Sequence, residues 1–84
     1  MFFGRQAKAA KQLDEKLERI QMNFENNYKD AAQINLREFE VLYSRLSEEG
    51  GLSERQKEYY GRRLSDYQAR MKNFTHKDQK ATWV

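Results

Sequence analysis

Along the first half of this 84-residue chain, small and apolar residues recur at a spacing that only a helix satisfies. Ala10, Leu13, Leu17, Ile20, Phe24, Tyr28, Ala31, Phe39, Leu42 and Leu46, with polar Asn35 filling one step, advance by an average of about 3.6 residues. That is the period of a straight α-helix, so the stripe holds one face without drifting; a heptad would average about 3.5 and impose a supercoil. Proline is absent and glycine occurs four times, so nothing in the composition breaks such a helix before Gly50-Gly51. The stripe predicts one helix over about residues 6–48, roughly 64 Å long at 1.5 Å per residue.

The glycine pair predicts a turn, and Ser53-Glu54-Arg55-Gln56 has the form of a capping box that opens a second helix. Tyr60, Leu64, Tyr67, Met71 and Phe74 continue it at alternating spacings of four and three, predicting a helix over about residues 53–74. Gly61 lies inside it and costs about 1 kcal/mol relative to alanine, unless it admits a close approach. Folded back, the stripes pair Leu42 with Tyr60, Phe39 with Leu64, Asn35 with Tyr67, Ala31 with Met71 and Tyr28 with Phe74. The expected fold is therefore all-α: a long antiparallel helical hairpin over residues 6–74. An aromatic and basic arm (1–5) precedes it and a polar tail (75–84) follows.

In that hairpin the return helix is too short to reach Leu13, Leu17, Ile20 and Phe24. Each is worth about 1.5–3 kcal/mol when buried, so the expectation is a helical-bundle dimer, or a helical protein partner, closing over those four residues. The alternative is a three-helix bundle with a break near Asn26-Asn27, where two weak helix formers adjoin and Asn27 stands three residues before Asp30.

Charge is segregated: residues 1–12 carry three bases and no acid, 13–49 five bases and nine acids, 50–84 eight bases and four acids. An acidic stretch joined by a turn to a basic one favours folding back, though exposed pairs contribute only about 0–1 kcal/mol each. The basic helix carries Arg55, Arg62, Arg63, Arg70 and Lys72 with Tyr59 among them, the residues that phosphate neutralisation and base stacking use. Nucleic-acid binding is thus the alternative function. Glu54, Glu58 and Asp66 interrupt the run.

The ends hold further anchors. Phe2 and Phe3 with three positive charges could dock on an anionic membrane surface or cap an oligomer. Thr82-Trp83-Val84 resembles the C-terminal peptides that PDZ domains take up as an added strand, with Trp83 and Val84 as the bulky contacts.

Catalytic groups are few. His76 is the sole histidine and stands in the polar tail; Asp14, Glu15 and Glu18 lack a histidine or a binding loop to complete a metal or acid–base site. The absence of cysteine removes disulfides and thiolate zinc sites. No cofactor, metal or small-molecule substrate is expected, and no run approaches the roughly 20 apolar residues of a membrane span. Since Met1-Phe2-Phe3 is too short for a secretory apolar region, a cytoplasmic location is expected. The Gly50-Gly51 turn has neither the Trp-x-Gly of WXG-type secreted hairpins nor the proline turn of secretion-needle subunits, and no family is assigned. The functional expectation is a non-catalytic adaptor or oligomerising subunit.

Overall fold

The structure is a computed structural model that describes the backbone of residues 2–83 and the side-chain surroundings of residues 7–73. Three helices make it up: α1 (Phe2–Glu25), α2 (Lys29–Glu48) and α3 (Glu54–Trp83). The molecule measures 56 × 18 × 15 Å, elongated along the 30 residues of α3, which span about 45 Å. Helices α1 and α2 lie antiparallel. Helix α3 runs back along both, so Tyr60 meets Asp14 and Tyr67 meets Gln21.

The single helix over residues 6–48 is therefore not formed. It breaks at Asn27, whose φ is 59°, a left-handed conformation that asparagine tolerates better than other side-chain-bearing residues. Two backbone bonds close α1 there: Asn27 N–H donates to the Phe24 carbonyl (3.2 Å) and Tyr28 N–H to that of Asn23 (2.8 Å). The same pair recurs at the end of α2, where Gly50 N–H reaches Ser47 (3.4 Å) and Gly51 N–H reaches Leu46 (2.9 Å). Gly50 there has φ 73°. Asn27 thus ends one helix instead of capping the next. Tyr28 occupies the N-cap position of α2 without a side-chain bond.

The capping box at α3 is formed as expected. Ser53 N–H donates to Gln56 Oε1 (2.8 Å) and Gln56 N–H to Ser53 Oγ (3.2 Å). The helix then continues to Trp83, past residue 74 and through the segment read as a tail, because no glycine or proline follows Gly61 to stop it. Helix α1 likewise takes in residues read as an arm.

Breaking at Asn27 resets the helical phase. Helix α2 buries Ala32, Leu36 and Phe39, one position on from the expected Ala31 and Asn35, while Tyr28 is 60% exposed. Asn35 bonds the side-chain amide of Asn23 across α1 and α2 (2.7 Å), not Tyr67. Leu52, in the loop, closes the core at one end. Gly61 does admit a close approach: a Cβ there would stand 2.8 Å from the Tyr43 hydroxyl, which donates to the Lys57 carbonyl (2.7 Å).

Candidate interaction surfaces

Leu13, Leu17, Ile20 and Phe24, the residues expected to await a second chain, are each at most 9% exposed within this one. The physical reason is the break. Two helices of 24 and 20 residues cover each other along most of their length, and α3 fills the groove between them. Tyr60 and Tyr67 complete the cover. The Tyr60 hydroxyl donates to Asp14 Oδ1 (2.7 Å), with the Ala10 carbonyl 3.3 Å away. Its pKa is raised, first by burial and then by the bond to Asp14 and that carboxylate's charge. Tyr67 stacks on Phe24 and donates to Gln21 Oε1 (2.7 Å).

The five bases of α3 do not form one patch. At about 100° per residue, Arg55 and Arg62 share one line, Arg63 and Arg70 a second, and Lys72 a third. Arg62 pairs with Glu58 (3.2 Å). Arg63 lies over the rings of Tyr59 and Tyr67 at 5.9 and 5.4 Å and bonds both hydroxyls at 3.1 Å. Those hydroxyl bonds, with Tyr67 foremost, raise its pKa. Arg70 covers Phe24 at 4.7 Å and bonds Gln21 Oε1 (3.2 Å). These two guanidiniums seal the α1–α3 seam, a structural use that accounts for arginine at both positions. A recess of about 420 Å³ lies beside them, lined by Gln21, Arg63, Asp66, Tyr67, Ala69 and Arg70. The side chains of Phe2, Phe3 and Trp83, and the whole of Val84, lie outside the described residues.

One surface escaped the sequence reading. On the solvent side of α2, Ile34 and Val41 are 59% and 60% exposed. They stand seven residues apart, two turns of one face. Asp30, Arg37, Glu38 and Arg45 flank them within an arc of about 100°. An open groove of about 430 Å³ runs along this face between Lys16, Arg37, Glu38, Val41, Leu42 and Arg45, and a second of about 280 Å³ adjoins Ile34. Lys16 reaches from α1 to bond Glu38. Asp30, Arg37 and Arg45 make no ion pair or side-chain hydrogen bond among the described residues. The signal was present in the sequence as a second pair of β-branched residues at i and i+7, off the main stripe.

No group of three or more metal-ligating side chains occurs among the described residues, and no described helix is long and apolar enough to cross a membrane. The chain matches no protein-family model, no curated protein and no solved structure.

Proposed function

We propose that this protein is a non-catalytic helical interaction module whose working surface is the outer face of α2. The observation that carries this reading is the pair Ile34 and Val41, large β-branched residues left more than half exposed beside a groove, in a chain whose other large aliphatic residues are mostly packed. An apolar strip rimmed by charges of both signs is what an amphipathic helix of a partner fits. A photo-reactive benzophenone side chain at position 34, introduced in cells, tests it. A discrete protein adduct from position 34, and none from position 66 on the far side of α3, supports the reading. Equal adducts from both positions, or none, refute it.

A second reading rests on Arg63 and Arg70, which flank Tyr67 without a carboxylate paired to either among the described residues. That edge suits a phosphate backbone with an unpaired base stacked nearby. Retention on a polyanion column that falls steeply with salt supports it; lack of retention at low salt removes it.

A further inference from the structure

We infer that the occupant of the α2 face is a second copy of the same chain, its α2 antiparallel to the first about a two-fold axis between Arg37 and Glu38. This rests on the reading of that face as a docking surface. The basis is self-complementarity. An isologous contact requires each residue on a face to meet a suitable partner when the face is turned on itself. Place the axis between Arg37 and Glu38, and Arg37 meets the partner copy's glutamate 38 while Ile34 meets its valine 41. One turn further out, Asp30 meets its arginine 45. Every position finds its complement, apolar with apolar and acid with base, in one register. All six residues lie in the arc that faces outward.

The intrachain partners leave this arrangement free to form. Asp30, Arg37 and Arg45 have no charged partner of their own among the described residues. Glu38 receives Lys16 on Oε1, which leaves Oε2 for an incoming guanidinium. Asp30 and Arg45 are about 22 Å apart along their own helix, so they cannot pair within one chain. Alternating steps of four and three along Asp30, Ile34, Arg37, Val41 and Arg45 suit a shallow antiparallel crossing of about 20°. With two aliphatic residues per chain at its centre the contact is small, and a dimer in rapid exchange is expected.

Sedimentation equilibrium of the purified full chain, with charge exchange between Asp30 and Arg45, tests the inference. The wild type is expected to dimerise, and Ile34→Asp or Val41→Asp to leave a folded monomer by circular dichroism, since both sites are exposed. Asp30→Arg or Arg45→Asp alone sets like charges against each other at both ends, raising the dissociation constant about tenfold. The double variant Asp30→Arg, Arg45→Asp restores both pairs with signs reversed and should return affinity to within about twofold of wild type. A wild type that stays monomeric at high concentration overturns the inference, as do single variants without effect or a double variant that fails to recover. A monomeric purified chain alongside a cross-linked adduct of another protein from position 34 rejects self-pairing alone and leaves the docking surface standing.

Discussion

Phe24 of α1 and Tyr67 of α3 stack with ring centroids 5.6 Å apart and planes within 8° of parallel. Arg70 lies across both rings, 4.7 Å from the first and 5.4 Å from the second. This contact covers the last turn of α1 with the protein's own third helix, so the greasy face of α1 belongs to the core.

Placement in the core changes what a charge there does. Ile20 is fully buried, and Ile20→Asp would strand a carboxylate with no partner, a change that exceeds the usual 0.5–3 kcal/mol of point substitutions. The expected outcome is loss of the cooperative thermal transition and of most helicity by circular dichroism. A folded, merely dissociated monomer would place Ile20 on a surface.

Tyr60 makes stability depend on alkaline pH. Its raised pKa means that the folded state holds the phenolic proton more tightly than the unfolded chain. Stability is therefore intact below the ordinary tyrosine pKa of about 10 and declines as pH rises above it. Tyr60→Phe should cost about 1–2 kcal/mol at neutral pH by losing the bond to Asp14. It should also flatten the alkaline decline measured by urea unfolding between pH 9 and pH 11, roughly the span around that reference value.

Asn27 sets where α1 stops. Asn27→Gly relieves the left-handed backbone and should leave stability unchanged or raise it by up to about 1 kcal/mol; Asn27→Val should lower it by about 1–2 kcal/mol. Thermal melts of both variants check the difference in sign.

Gly61 and Tyr43 are coupled. Gly61→Ala adds about 1 kcal/mol of helix propensity but drives the Tyr43 hydroxyl off the Lys57 carbonyl, for little net change. In a Tyr43→Phe background that hydroxyl is gone, and the same substitution should stabilise by about 1 kcal/mol. A double-mutant cycle by urea unfolding reads the coupling directly.

Local chemistry was the legible part of this sequence. Helix type, the Gly50-Gly51 closure, the Ser53–Gln56 box and the apolar face of α1 all follow from side chains acting within a few residues of themselves. The break was harder, because an undrifted stripe through Tyr28, Ala31 and Asn35 outweighed two asparagines. The stripe survived only by accepting a polar residue at one step and an exposed tyrosine at another. A one-residue shift after Asn27 replaces them with Ala32 and Leu36, both buried, a gain in burial larger than the cost of one left-handed asparagine. That choice also decides the surface. With the break, α1 is covered, and Ile34 and Val41 stand out as the apolar pair that packing leaves over; without it, their exposure has no special meaning.

Circular dichroism over a dilution series that spans chain dissociation tests the self-contained core most directly. A three-helix fold that only docks through α2 predicts the same helical content on both sides of dissociation. Helicity that falls in step with the parting of the chains would contradict it, since the face of α1 would then need a neighbour to be covered.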